Sequence, residues 1–252
     1  MKGRRVLVTG GAKGIGRAIV LALADSGYDV AFTCHASADA GVDLIGELSA
    51  AFPEQRFALH PLDLADRGAV EALATEILRA TPLHGLVHNA GASYDSLAAT
   101  IDQERALALM QVNFWSMTRL AAAALRPMMR ARMGRIVAIG SVTAWLGTQG
   151  NACYAASKAA VAAYIRTLAI EAASRGVTAN TIAPGFVDTA MLAPYQAHRE
   201  HLEKQIPAGR FARPAEIAGL VRYLLSPDAA YITGVEITID GGLSAVTPAR
   251  FA

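Results

Sequence analysis

Residues 5–16 read Arg5-Val-Leu-Val-Thr9 followed by Gly10-Gly-Ala-Lys-Gly-Ile-Gly16. A short apolar run stops at glycines, and Ile15, Ile19, Val20 and Leu23 then follow at helical spacing. That is a strand turning straight into a helix. Glycines at such a joint allow positive φ and let backbone N–H groups approach a phosphate at the helix N-terminus. The spacing of Gly10, Gly14 and Gly16 is G-x-x-x-G-x-G, so the G-x-G-x-x-G dinucleotide fingerprint fails. A turn that only lets strand and helix pack closely would read the same way. Its position after the first strand favours a nucleotide.

Working outward, strand-like and helical stretches alternate along the whole chain. Strands are expected at Arg5–Thr9, Tyr28–Cys34, Arg56–His60, Leu83–His88, Arg135–Ile139, Val177–Ala183 and Val235–Ile239. Helices are expected at Gly14–Ser26, Asp39–Ala51, Asp66–Ala80, about Asp102–Arg132 with a kink or late break at Pro127, Tyr154–Ser174 and Pro214–Leu225. About seven short apolar strands between helices mean right-handed crossovers and an α/β fold, a doubly wound parallel sheet with helices on both faces. No linker or repeat interrupts it, which reads as one domain over residues 1–246 and a short tail at 247–252.

Composition fits that picture and excludes others. The chain has 252 residues, 53% hydrophobic and 17% charged, which rules out intrinsic disorder. A net charge of +2 argues against nucleic acid as a partner. Apolar runs such as Leu120–Leu125 are bounded by arginines and fall short of a membrane span. The apolar stretch after the basic N-terminus breaks at Thr9-Gly10-Gly11, too early for a signal-peptide core. Two cysteines, Cys34 and Cys153, make no disulfide framework. The expectation is a cytoplasmic protein with no metal.

In such sheets ligands bind beyond the carboxyl ends of the strands. The second strand ends in Thr33-Cys34-His35-Ala36-Ser37, with no carboxylate for the ribose hydroxyls of NAD. Lys13 lies inside the glycine loop, where a cation can face a 2′-phosphate, with Thr33, His35 and Ser37 as helpers. NADP(H) is therefore the expected cofactor, although a single loop lysine is often merely solvated. Tyr154 and Lys158 are four apart at the start of a helix and share a face. An ammonium beside a phenol favours the phenolate, so Lys158 is expected to bring Tyr154 toward working pH for proton transfer. Ser141, just past a strand, can hydrogen-bond the same substrate oxygen.

The segments T-G-G-A-K-G-I-G (9–16), N-A-G (89–91), Asn113, Ser141, Y-A-A-S-K (154–158) and P-G-F-V-D-T (184–189) together resemble the short-chain dehydrogenase/reductase family, from Arg4 to about Gly242. The resemblance implies a single Rossmann-like domain and a catalytic tetrad of Asn113, Ser141, Tyr154 and Lys158. In it the lysine also holds the nicotinamide ribose, and the asparagine holds a water in a proton relay. It further implies cofactor contacts at Gly10, Lys13, Gly14, Ile15, Gly16, His35, Asp63, Leu64, Asn89, Ala90, Gly91, Tyr154, Lys158, Pro184, Gly185, Val187 and Thr189, with Ile182 on the same segment.

Within that family, I-G-S-V, G-N-A-C-Y-A-A-S-K-A-A, I-P-A-G-R and A-A-Y-I-T-G are most similar to reductases of 3-oxoacyl thioesters on acyl carrier protein. That likeness implies a carrier-protein partner, met by Arg132 and Arg175 near the active-site mouth, and a homotetramer. It also places a variable substrate lid at about 188–210, unusually polar here with Tyr195, His198 and His201. His88 departs from the family's usual asparagine and reads as a packed core histidine. The alternatives are a family member acting on a sugar, steroid or small ketone, or a non-catalytic NADP(H)-binding protein.

Overall fold

A computed structural model describes residues 1, 3–80 and 82–245; the expected tail at 247–252 lies outside the described residues. Seven parallel strands form one sheet: β1 (Arg5–Thr9), β2 (Asp29–Cys34), β3 (Phe57–Pro61), β4 (Gly85–His88), β5 (Gly134–Ile139), β6 (Val177–Pro184) and β7 (Glu236–Ile239). Their order is β3-β2-β1-β4-β5-β6-β7. Val6 therefore pairs with Val30 on one side and Gly85 on the other. The winding reverses between β1 and β4, which opens a crevice beyond Thr9 and His88.

Helices cover both faces because the strands are apolar on both. On one side α1 (Gly14–Asp25), α2 (Ala38–Ala51) and α8 (Pro214–Leu225) bury Ile19, Val20, Leu23, Leu44, Leu48, Val221 and Leu224 against Val6, Val8 and Val137. On the other, α3 (Arg67–Arg79), α5 (Ser116–Ala131) and α6 (Ala152–Ala172) bury Val70, Leu73, Met117, Leu120, Val161 and Ile165 against Leu7, Leu86 and Ile136. Each fully buried aliphatic side chain contributes about 1.5–3 kcal/mol. The eight residues of β6, Val177–Pro184, are all buried.

The expected long helix from 102 to 132 is three segments. After α4 (Gln103–Met110), a π-helical turn, Gln111–Trp115, inserts a wider loop before α5. Pro127 sits inside α5 without ending it, and Arg132 closes the helix in the left-handed region at φ +50°. Such π turns recur at functional sites because they re-aim side chains; this one carries Asn113. The expected lid segment contains no single long helix. It is 3-10 turns over Ala190–His198 followed by the short α7 (Arg199–Glu203). No helix among the described residues is long and apolar enough to cross a membrane.

Candidate active site

A cavity of about 1010 Å³ opens beyond the strand ends at the β1/β4 crevice. Gly10, Lys13, Gly14, Ile15, Gly16, His35, Asp63, Leu64, Asn89, Ala90, Gly91, Pro184, Gly185, Val187 and Thr189 all line it, as do Ser141, Tyr154 and Lys158. Asn113 stands just behind the wall, fully buried. Ile182 departs from the expectation: it is buried in the core beneath. Among the described residues no cluster could hold a metal ion.

The glycine loop is a cradle that side chains would fill. Gly10 has φ +67°. A Cβ on Gly16 would lie 1.9 Å from the Gly10 carbonyl and 2.6 Å from Asn89 Nδ2. Asn89 explains the fit, since its Nδ2 donates to the carbonyls of both Thr9 and Gly10, each at 3.1 Å. The first turn of α1 thus points its free N–H groups at open space, which suits a pyrophosphate. At the far end Lys13 precedes α1 with no capping bond, and His35 Nε2 lies 3.6 Å from Asp63 Oδ2. Thr33 also lines this end, largely buried, with its hydroxyl accepting the Gly10 N–H at 3.1 Å.

The catalytic wall is wired through Asn113. Its Oδ1 accepts the Ala92 N–H at 2.8 Å, and its Nδ2 donates to the Ala92 carbonyl at 3.0 Å and to Ser157 Oγ at 2.9 Å. Ser157 in turn donates to the Tyr154 carbonyl at 2.7 Å. Both amide protons are therefore taken up by protein, while Oδ1 keeps a second acceptor position. Ser157 is a residue the motif reading passed over; the Y-A-A-S-K segment contains it, but its partner lies 44 residues away and only the fold reveals it.

Ser141 Oγ accepts from both the Thr143 N–H, at 3.2 Å, and the Thr143 hydroxyl, at 2.9 Å. A hydroxyl has two acceptor positions and one proton, so the Ser141 proton remains to donate into the cavity. Lys158 is buried, and its Nζ donates to the Ile139 carbonyl at 2.9 Å while lying 5.6 Å from the Tyr154 ring centre. Burial pushes the lysine down to about 8. Burial also raises the Tyr154 phenol, with the Ser141 hydroxyl working against it and Asp95 adding to it. Burial is the largest influence on the phenol, and the Lys158 ammonium is turned to the Ile139 carbonyl.

His88 is a core histidine, as its sequence position implies. Thr9 Oγ1 accepts the N–H groups of Asn89 and Ala90, so its proton goes to His88 Nδ1 at 3.2 Å. Nε2 then carries the ring proton and donates to the Asn113 carbonyl at 3.1 Å. Burial, with Lys158 nearby, pushes this imidazole down to about 3, so it stays neutral.

The substrate side is closed by residues from three separate segments. Asp95, after β4, accepts from Asn151 Nδ2 at 2.8 Å and from the Tyr195 hydroxyl. The bond to Asp95 is the main reason the Tyr195 phenol is pushed up to about 12. Arg199 braces the same lid, paired with Asp188 and Glu203, each at 2.9 Å. Arg132 and Arg175 do come together, Arg132 donating to the Ser174 carbonyl at 3.2 Å. They sit where chain enters β5 and β6, at the opposite end of this chain's sheet from its own cavity. Helices running antiparallel to the strands end at that far edge, which is why both residues land there.

The family model described as enoyl-(acyl carrier protein) reductase matches residues 10–244. The chain belongs to the short-chain dehydrogenase/reductase family. It is 39% identical to 3-oxoacyl-(acyl-carrier-protein) reductase FabG of Vibrio cholerae, over 96% of this chain and 98% of that one. It is 38% identical to the reductase of the same name from Escherichia coli K12, with the same coverage. A solved structure from Beutenbergia cavernae, described as a proposed NAD(P)-dependent gluconate 5-dehydrogenase with NADP at low occupancy, superposes with a TM-score of 0.92. It is 33% identical, with 98% of each chain covered. Membership makes this short-chain dehydrogenase/reductase an oxidoreductase and assigns its cavity to a nicotinamide cofactor.

Proposed function

We propose that the chain reduces a 3-oxoacyl thioester, carried on acyl carrier protein, to the 3-hydroxyacyl thioester with NADPH. The observation that carries this reading is the convergence of the Tyr154 phenol and the Ser141 hydroxyl on one wall of the cavity, backed by Lys158 and Asn113. When bound, NADPH supplies the hydride. Tyr154 gives its proton to the carbonyl oxygen as charge develops there, and the raised phenol keeps that proton until the charge forms. Ser141 donates a hydrogen bond to that same oxygen and fixes its position. Lys158 supports the nicotinamide ribose and the proton path behind Tyr154, and the Asn113 network holds the wall in register.

The preference for NADPH rests on the end of β2, where Cys34, His35, Ala36 and Ser37 line the cavity with Lys13 and offer the ribose no acid of their own. The substrate class rests on the two reductases that share over a third of this sequence. Arg132 and Arg175 lie away from this chain's own cavity, and the reading of its chemistry does not depend on them. The assembly proposed with it is a homotetramer using the outer faces of α5 and α6, where Ile170 is exposed and small side chains such as Ala156 and Ala163 permit close approach. Sedimentation at low micromolar concentration checks this, and a clean monomer contradicts it. The activity is tested by following NADPH oxidation with 3-oxoacyl thioesters on pantetheine and on carrier protein. Saturable turnover, faster with NADPH than NADH, is expected. An enzyme that prefers NADH, or that ignores every thioester, overturns the proposal.

A further inference from the structure

The acidic and basic side chains lining the cavity, among the described residues, are Lys13, His35, Asp63, Asp95 and Lys158. Lys13, His35 and Asp63 stand at the β1–β2–β3 end, with the glycine loop. Lys158 is buried at the centre, and its ammonium is turned to the Ile139 carbonyl. The substrate end is left with one charge, a carboxylate. Asp95 does not hang loose there. One oxygen is fixed by Asn151 at 2.8 Å and the other by the Tyr195 hydroxyl on the lid. The loop carrying it is further tied by the Ser96 N–H to the Gly150 carbonyl at 2.8 Å.

Asn151 is the residue that opens α6. The electropositive start of a helix is where a substrate anion would otherwise gain most. Asp95 already stands beside it. A carboxylate or phosphate next to the reacting ketone would therefore meet a like charge and find no free guanidinium or ammonium among the described residues at that end. A thioester is neutral and meets no such cost. Asp95 also acts on Tyr154 electrostatically, so its charge is felt at the reacting centre.

We infer that Asp95, held by Tyr195 and Asn151, is a specificity-determining residue that selects neutral carbonyl substrates against those bearing a carboxylate or phosphate near the ketone. The inference deepens the thioester reading and rests on it for the substrate's chemical class. It separates that class from sugar acids, which carry the excluded group. Asp95 is solvent-exposed, so the discrimination is electrostatic, long-range and sensitive to salt.

The test compares ethyl acetoacetate with acetoacetate, which share a 3-oxo skeleton and differ in charge. With NADPH, the wild-type chain is expected to favour the neutral ester in kcat/KM, and raising ionic strength should narrow that preference. Asp95→Asn should narrow it by about tenfold at low salt, roughly one unit charge near the site, and leave little salt dependence. The inference is overturned if the wild-type ratio is insensitive to salt, if the anion is used as well as the ester, or if Asp95→Asn leaves the ratio within about twofold of wild type. The salt series needs only the wild-type protein, so it stands whether or not the variant folds. Salt-sensitive preference for the ester without any turnover of 3-oxoacyl thioesters would refute the thioester reading alone. Thioester turnover with an unmoved ester-to-acid ratio would refute the role of Asp95 alone.

Discussion

The catalytic wall and the lid face each other across one cavity and are held in opposite ways. Asn113 and Ser157 on the wall are fully buried, and Lys158 is nearly so. Their polar atoms end on backbone groups of β5, α6 and the loop after β4. The lid is made of 3-10 turns and a five-residue helix, largely exposed, and is tied down by side-chain pairs such as Tyr195 with Asp95 and Arg199 with Asp188. Buried networks fix one geometry because every unmade bond there costs about 1–3 kcal/mol. Exposed pairs contribute about 0–1 kcal/mol each. The wall is therefore held in one geometry, while the contacts over residues 190–203 can change without disturbing it.

The largest effect should come from the rigid side. Gly16→Ala drives a methyl group into the Gly10 carbonyl and Asn89, so NADPH binding should be lost and the melting temperature lowered. Fluorescence titration and calorimetry read both, and near-normal NADPH affinity would break the claim that the cradle is rigid. A smaller effect is acid stability. His88 is neutral in the fold down to about 3, whereas an unfolded histidine takes up its proton from about pH 6.5 downward. Its contribution is thus whole above pH 6.5 and is lost as pH falls toward 3, at up to about 1.4 kcal/mol per pH unit. Urea unfolding of His88→Asn should show a shallower loss over that window than wild type; equal slopes would deny the buried neutral imidazole. Tyr195→Phe should have the smallest effect on the fold, within about 1 kcal/mol. It should nonetheless speed amide exchange in residues 190–203 and leave the wall unchanged. Unaltered exchange in the lid would mean that Tyr195 does not hold it.

The same contrast governs what could be read from the chain alone. Apolar strand runs and the glycines at 10, 14 and 16 report local backbone needs, so the sheet, its winding and the cofactor side were legible. Tyr154, Lys158 and Ser141 were legible because they sit at strand ends and on one helix face. Three things were not. The π turn at Gln111–Trp115 has no periodic signature distinct from the helices around it. Ser157 and Asp95 gain their roles from partners 44 and 100 residues away. The desolvation of the Tyr154 phenol is the third, since burial is a property of the folded cavity. Arg132 and Arg175 lie near one another, at the end of the sheet away from this chain's own cavity, a placement that only the topology reveals.

The central claim is that the rigid wall performs proton transfer through Tyr154 while the glycine cradle binds NADPH independently. Single-turnover reduction of a 3-oxoacyl thioester by Tyr154→Phe, with NADPH prebound, tests it most directly. The expected result is a rate about 10²–10⁴-fold below wild type with NADPH affinity unchanged. Wild-type-like turnover, or loss of NADPH binding along with turnover, would contradict it.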